Sequence, residues 1–229
     1  KFVNTLRPRF EKVNFLILNK AMSSGTIFSM SGDEIIMTNQ SQIGPIDPQV
    51  RNRNGEFVPA QSLLTLIEEI KMRGENAIKK GQQPAWTDLQ ILRGIDPKEI
   101  GNAMSASNYS IQLVEEYLFN FKFKTWTHHS SNGKEVTTDE KKVRANTIAS
   151  LLCNHSEWKN HGHAITREAA WDVCNLKIKN AEEIEGLDRA MRRMWALFYW
   201  AFENTPIAKI FVSENYCIIR NDITKNQKK

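Results

Sequence analysis

Near the amino end of the chain, the spacing of hydrophobic residues is first helical and then strand-like, and a run of small residues follows. Apolar residues from Phe2 to Phe10 recur at helical spacing, which predicts an amphipathic helix over residues 1–12. The next run, 13–18, reads Val-Asn-Phe-Leu-Ile-Leu and is typical of a buried strand. Small residues then fill 21–25, which predicts a strand that turns tightly into a short, closely packed helix.

The rest of the pattern predicts mainly helices. A second short strand is expected at 34–38, and a loop held by a glycine and two prolines follows at 41–48. The predicted helices are 59–80, 86–121 with a break at Gly94, 139–153, 166–173 and 186–202. An exposed loop is expected at 127–139. The last two strands are expected at 210–212 and 216–220. Asp96 and Thr166 are the expected N-caps of two of these helices. The chain is therefore predicted to be α/β, with more helix than strand.

Charge argues against a nucleic-acid partner. The formal net charge is +5, but lysines and arginines are interleaved with acidic residues, as in the segment 68–71, which is typical of a solvated helix face. Part of the positive charge lies at Lys225, Lys228 and Lys229, where a solvated tail is expected. The composition does not predict a basic face of the kind that nucleic-acid binders carry.

Cysteine usage and hydropathy favour a cytoplasmic protein without a membrane span. The three cysteines are too few and too scattered for a disulfide framework. The longest nearly apolar run, 195–202, is far shorter than the roughly 20 residues that a membrane-spanning helix needs, and no secretory signal is visible at the amino end. Since the chain begins inside a predicted helix without an initiator Met, we expect it to be truncated at the amino terminus.

The segment Ala21–Thr26 is the main candidate for chemistry. A serine hydroxyl becomes a useful nucleophile when it is exposed at a turn, near a base, with backbone N–H groups directed at the developing oxyanion. A strand that runs through small residues into a helix offers that geometry to Ser23 or Ser24. Small residues at such a turn are equally consistent with tight packing, so the motif alone leaves both interpretations open.

Three stretches of sequence resemble the serine dehydrogenase proteinase family, which is similar to ClpP and to the signal-peptide peptidases. They are Ala-Met-Ser-Ser-Gly-Thr at 21–26, Ser-Gly-Asp-Glu-Ile-Ile-Met at 31–37 and Ser-Gln-Ile-Gly-Pro-Ile-Asp-Pro-Gln at 41–49, with weaker similarity at 58–61, 160–165 and 204–210. The resemblance implies a ClpP/crotonase-like spiral of β-α units with a helical carboxyl-terminal portion. It further implies one peptidase domain over 1–229, with a core at 1–80 and a helical and carboxyl-terminal region at 81–229.

The resemblance also implies which residues react. The nucleophile of such relatives is the serine two residues before the glycine, here Ser23, whereas the family more often has Ala at the position of Ser24. Backbone N–H groups of Ser24 and Gly25 are then the expected oxyanion donors. The second donor of the superfamily comes from a Gly-rich loop after an earlier strand, and the residues between Lys1 and Ser23 contain no such loop.

The general base remains open among Asp47, His161 and Lys71, or it is missing or supplied by a neighbouring subunit. Asp47 lies where ClpP-like relatives place a His, and it is able to accept a proton, orient a base or fix a turn between its two prolines. His161 lies in a stretch similar to the family. Signal-peptide-peptidase-like relatives use a Lys where this chain has Gln61, and the nearby Lys71 lies on a charged, solvated helix face.

No metal or other cofactor is predicted. The histidines at 128–129, and His155, His161 and His163 with Cys153, do not follow a known structural-zinc spacing. The expected function is hydrolysis of a peptide or protein substrate through an acyl-enzyme on Ser23, in a homo-oligomer as the resemblance implies. The alternatives are an inactive scaffold that keeps the peptidase fold and crotonase-like chemistry on an acyl thioester. The scaffold is favoured by Gln61 and by the lack of a Gly-rich loop between Lys1 and Ser23.

Overall fold

A pair of parallel strands forms the framework of the amino-terminal region. The computed structural model describes residues 1–52 and 55–222. Helix α1 (Phe2–Leu6) passes into a 3₁₀ turn at Arg7–Arg9, so the α-helix is shorter than predicted, because Pro8 lacks the N–H that would continue it. Strand β1 (Asn14–Ile17) then pairs in parallel with β3 (Glu34–Met37), as expected for two apolar runs joined through a helix.

A second, shorter parallel pair carries the serine segment. Strand β2 (Lys20–Ala21) leads into helix α2 (Ser24–Ser29) and pairs with β4 (Gln42–Ile43). Strand β4 lies in a stretch predicted as loop, where its two residues are too few to produce a readable alternation. On its other side, Ile43 forms an antiparallel bridge with Ile165, which brings two segments distant in sequence together.

Helices make up most of the remaining chain and follow the predicted pattern closely. Side-chain caps are found at both expected sites, since Asp96 accepts a hydrogen bond from the Lys98 N–H and Thr166 accepts one from the Ala169 N–H. The long helices of this region are α3 (Ala60–Lys79), α4 (Trp86–Gly94), α5 (Pro97–Tyr117, continued by a π-helical turn at Leu118–Lys122) and α6 (Thr138–Cys153), followed by the short α7 (His155–Trp158) and by α8 (Arg167–Cys174).

The hydrophobic core of this region joins strands and helices. Apolar side chains from β1, β3 and β4 pack with residues of α5, α6 and α8, and many of them have no exposed surface. The largest fully buried side chains include Met30, Ile35, Met37, Ile43, Ile46, Leu118, Ile148, Leu152, Ile165 and Leu176. Loop 41–48 is therefore built into the core through Ile43 and Ile46.

The structure contains three further short strands that the sequence did not predict, and one of the two final strands is longer than predicted. Strands β5 (Gln49–Arg51) and β6 (Phe57–Pro59) pair antiparallel in a stretch for which the sequence predicted no element. Strand β7 (Lys179–Asn180) is the third member of the sheet ordered β1-β3-β7. Strands β8 (Ile207–Val212) and β9 (Cys217–Asn221) pair antiparallel. β8 includes the predicted strand 210–212, and β9 is shifted by one residue from the predicted strand 216–220.

The chain divides into two compact units, 1–179 and 180–229. The second unit contains a 3₁₀ turn at 181–183, helix α9 (Leu187–Asn204) and the β8–β9 hairpin. The predicted solvated tail at 225–229 lies outside the described residues. In sum the protein is mixed α/β with small sheets, and among the helices described none is long and apolar enough to cross a membrane.

Candidate active site

Ser23 occupies a strained turn between strand β2 and helix α2. Its backbone has φ 50° and ψ −114°, a combination that residues with a Cβ rarely adopt. The turn is held by hydrogen bonds from the Gly25 N–H to the Met22 carbonyl (2.8 Å) and from the Ile27 N–H to the Ser23 carbonyl (3.0 Å). Such strain costs about 1–3 kcal/mol and is often found where a side chain must be presented for chemistry. Ser23 is partly buried.

Thr26 connects this turn to the loop after β4. Its buried Oγ1 lies 2.7 Å from the Ala21 carbonyl and 2.9 Å from the Gly44 carbonyl, and it accepts a hydrogen bond from the Gly44 N–H at 3.0 Å. A hydroxyl has one hydrogen, so it donates to one of the two carbonyls at a time while it accepts from the amide. The loop is therefore fixed against the base of the serine turn.

Gly44 allows the loop to approach the residue that precedes Ser23. A Cβ at position 44 would lie 2.5 Å from the Cε and 3.4 Å from the Cα of Met22. Because the first of these distances is well below van der Waals contact, a larger residue at this position would push aside the flexible end of the Met22 side chain.

Asp47 is fully buried three residues after Gly44, and its carboxylate is hydrogen bonded to two histidines. Oδ1 lies 2.8 Å from Nδ1 of His161, and Oδ2 lies 3.1 Å from Nδ1 of His155. A carboxylate only accepts hydrogen bonds, so a neutral imidazole in either position carries its hydrogen on Nδ1 and leaves Nε2 as an acceptor. The backbone of the loop is held by hydrogen bonds from the Ile46 N–H to the Leu152 carbonyl and from the Ala60 N–H to the Pro48 carbonyl.

The segment after α6 brings both histidines to the same carboxylate. Asn154 caps α7 through a hydrogen bond from the Ser156 N–H, which places His155 at the first position of that helix. Lys159 ends α7 in a left-handed conformation at φ 60°, so the chain turns back toward His161. Farther on, Ile165 exchanges hydrogen bonds of 2.9 and 3.0 Å with Ile43 of β4.

Cys153 lies near the same carboxylate at the end of α6. Burial, together with the negative charge of Asp47, raises the pKa of this thiol to about 12. A thiol of this kind is a small buried hydrophobe and not a nucleophile, so Cys153 is excluded as an alternative reactive group.

The other residues singled out by sequence have simpler surroundings. Ser24 is exposed and opens α2, where backbone N–H groups lack an intrahelical acceptor, whereas the N–H of Gly25 already donates to Met22. Lys71 is exposed on α3 and lies 3.6 Å from Glu68, as predicted for a solvated face. Gln61 is the second residue of α3.

Sequence reasoning missed the role of His155 in this cluster. Asp47 and His161 are candidates that the fold joins directly, but His155 had been considered only as a member of a histidine-rich zinc pattern. The available signal was that His155 lies six residues before His161 and directly after Asn154, a residue typical of a helix N-cap. This spacing by itself does not show that the two histidines share a partner. Within the part of the chain that the structure describes, no group of three His, Cys, Asp or Glu side chains is arranged to hold a metal ion.

A shallow basic cleft lies elsewhere on the first unit. It has a volume of about 360 Å³ and contains none of the predicted site residues; its lining is Arg7, Pro8, Arg9, Phe10, Glu11, Asn120, Phe121 and Lys124. Arg7 is engaged there on two sides, by an ion pair with Asp33 at 2.6 Å and by the ring of Phe121 at 4.0 Å. The cleft is thus partly occupied by structural contacts and is not the candidate active site.

Comparisons with known proteins give distant relatives. The uncharacterized protein MJ1495 of Methanocaldococcus jannaschii is 29% identical over 129 residues, which is 54% of this chain and 39% of that protein. The uncharacterized protein MJ0137 of the same organism is 26% identical over 137 residues, 56% of this chain and 42% of that protein. The chain thus spans about two-fifths of the length of these relatives. No family profile and no solved structure matches it.

Proposed function

We propose that this protein is a serine peptidase of the ClpP/crotonase type, with Ser23 as the nucleophile and His161 as the general base. The observation that carries the proposal is what lies at the two ends of the segment from Ser23 to Asp47. A strained serine turn lies at one end, and a buried Asp47–His161 pair with a basic Nε2 lies at the other. Thr26 joins the serine turn to Gly44, which lies three residues before Asp47.

The chemistry follows that of other serine hydrolases. Oγ of Ser23 attacks the carbonyl carbon of the scissile peptide while its proton passes to Nε2 of His161. The C–N bond then breaks, and the leaving amine takes that proton. Water attacks the resulting ester, gives one proton to Nε2, and releases the acid as the proton returns to Ser23. Asp47 positions His161 and stabilises the imidazolium, and the backbone N–H of Ser24 is the proposed oxyanion donor.

His161 is assigned as the base in preference to His155 because of its connection to β4. The segment after His161 is hydrogen bonded at Ile165 to Ile43, the residue that pairs with Ala21 at the start of the serine turn. His155 lies on α7 and is connected instead to α6. The proposed base therefore belongs to the segment that is hydrogen bonded to β4, the strand that pairs with the strand leading into Ser23.

The proposal is tested by intact-mass spectrometry after treatment with a fluorophosphonate. We expect one adduct on the wild type, lost in Ser23→Ala and in His161→Ala and kept in Ser24→Ala. Folded wild-type protein without an adduct would contradict the peptidase proposal and favour an inactive scaffold. An adduct lost only in Ser24→Ala would show that the neighbouring serine is the nucleophile.

A homo-oligomer is part of the proposal. Within the second unit, α9 exposes Leu197 and Trp200, and the β8–β9 hairpin exposes Phe211 and Ile218. Large apolar side chains left exposed in this number are typical of interaction surfaces. Light scattering coupled to size exclusion should give a mass that is a multiple of the chain's 26.4 kDa, and a monomer at all concentrations would contradict this part of the proposal.

A further inference from the structure

The second oxygen of Asp47 has a partner that the peptidase mechanism does not use. Nδ1 of His155 lies 3.1 Å from Oδ2, while His161 takes Oδ1. The Asp47 side chain has no exposed surface, and the side chains of His155 and His161 are 21% and 22% exposed. Both carboxylate oxygens are therefore occupied by imidazole donors in a site that largely excludes water.

We propose that His155 is a positioning residue, which fixes the plane of the Asp47 carboxylate so that its other oxygen stays directed at His161. This inference rests on the proposed function, since it assigns the residue that supports the base. His155 acts through Asp47 and makes no proposed contact with substrate.

The physical reason lies in the freedom of an aspartate side chain. The χ2 torsion of Asp is broad, and one hydrogen bond leaves the carboxylate able to rotate about it. Donors on both oxygens remove that rotation. When one oxygen of a buried carboxylate loses its donor, the group turns or admits water to recover a hydrogen bond, and His161 then loses its fixed ring orientation.

The backbone is arranged to place His155 as well as His161. Asn154 caps α7 immediately before His155, and the left-handed Lys159 ends the same helix one turn later. Trp158 anchors the helix between them, with its indole N–H donating to the Leu151 carbonyl at 2.8 Å. Two histidines six residues apart thereby approach one carboxylate from different parts of the same turn.

Three variants separate a positioning role from the alternatives. His155→Ala removes the donor, whereas in His155→Asn the side-chain amide takes the place of Nδ1–H. His163→Ala is the matched control, because His163 belongs to the same loop and contacts Trp158 but is not bonded to Asp47. Loss of a residue that orients a functional ligand typically lowers activity about 10–100-fold.

The first measurement is the second-order rate constant for fluorophosphonate labelling of Ser23. We expect a fall of about 10–100-fold in His155→Ala, a value within about threefold of wild type in His155→Asn, and no change in His163→Ala. A wild-type rate in His155→Ala would overturn the inference. Complete loss in both His155 variants, with labelling retained in His161→Ala, would also overturn it and make His155 the base.

The second measurement does not depend on catalysis. Two-bond ¹H–¹⁵N spectra of ¹⁵N-histidine-labelled protein report which ring nitrogen of His161 carries the hydrogen. We expect the single Nδ1–H form of His161 in the wild type, in His155→Asn and in His163→Ala, and a mixture of tautomers in His155→Ala. If the wild type is not labelled, the peptidase proposal fails, and an unchanged His161 spectrum in His155→Ala overturns the positioning role independently.

Discussion

Nδ1 of His161 lies 2.8 Å from Oδ1 of Asp47, although 113 residues separate the two in the chain. The contact is made because the loop that holds Asp47 and the loop that holds His161 are both tied to β4, the first by chain continuity and the second by the bridge from Ile43 to Ile165. A buried carboxylate in this position fixes the ring so that Nε2 remains free to take a proton.

Asp47→Asn should reduce labelling of Ser23 by roughly a thousandfold or more, because an amide at this position favours the wrong tautomer of the base. The measurement is the second-order rate constant for fluorophosphonate labelling. Asp172→Asn, at an exposed position of α8, is the matched control and should label like the wild type. Normal labelling of Asp47→Asn would show that Asp47 is not part of the reacting site.

Thr26→Val should destabilise the protein by about 1–3 kcal/mol, since it keeps the shape of the side chain but removes a buried hydroxyl that accepts from the Gly44 N–H and donates to the carbonyl of Ala21 or Gly44. The Gly44 N–H then keeps only its longer bond of 3.2 Å to the Ala21 carbonyl. The free energy of unfolding is obtained from urea titration. The control is Thr147→Val, because the hydroxyl of Thr147 is exposed and bonds only within its own helix, to the Val143 carbonyl; its effect should stay within about 0.5 kcal/mol. Equal effects of the two substitutions would contradict the role given to Thr26.

Gly44→Ala should lower both stability and the labelling rate, because its Cβ would meet Met22 beside the serine turn. Overpacking costs about 1–3 kcal/mol where the neighbours cannot move, and because the flexible end of the Met22 side chain is the closest group, we expect a cost near the lower end, about 1 kcal/mol. Gly74→Ala in α3 is the opposite case, since a Cβ there has no neighbour within 4 Å, and it should stabilise by about 0.5–1 kcal/mol. Urea unfolding of both variants gives the sign of the change in free energy of unfolding. An unchanged free energy in Gly44→Ala would show that the close approach of Gly44 to Met22 does not require a glycine.

The Arg7–Asp33 pair should make the free energy of unfolding depend on pH in the acidic range. Burial alone would raise the pKa of Asp33, but hydrogen bonds from Arg7 and from the Val13 N–H hold it below its ordinary value. A carboxyl with a lowered folded-state pKa contributes stability that is complete above its unfolded pKa, near 4, and is lost as pH falls through the folded value.

The comparison of wild type with Asp33→Asn isolates this contribution. The difference in free energy of unfolding should be about 1–3 kcal/mol at pH 7, which is typical of hydrogen bonds to a charged group. It should shrink steadily below pH 4. A difference that stays constant from pH 7 to pH 2 would mean that the pair adds nothing through its charge.

Thiol reactivity should distinguish the three cysteines. Burial raises the pKa of Cys153 and of Cys174 to about 12, whereas Cys217 is exposed on β9. At pH 8 we therefore expect a thiol-reactive disulfide reagent to modify one cysteine rapidly in the folded protein and all three after unfolding. Cys217→Ser should remove the rapid phase, and rapid modification of a second cysteine would contradict the burial of the other two.

Local sequence determined most of the secondary structure. Short apolar runs predicted β1 and β3, and helical spacing with polar caps at Asp96 and Thr166 predicted the helices and their starts. These features depend on neighbouring residues, so periodicity and capping chemistry are sufficient to predict them. The turn at Ser23 was recognisable for the same reason, since small residues follow a strand directly.

The tertiary structure alone decided which candidates meet. Strands β2 and β4 have two residues each, too few for a periodic pattern, and they form because each finds a partner from a distant part of the chain. The choice of Asp47 with His161, and the addition of His155, likewise follow from long-range pairing and from a turn at Lys159. Such contacts depend on how the core closes around Ile43 and Ile46, which no local pattern of residues specifies.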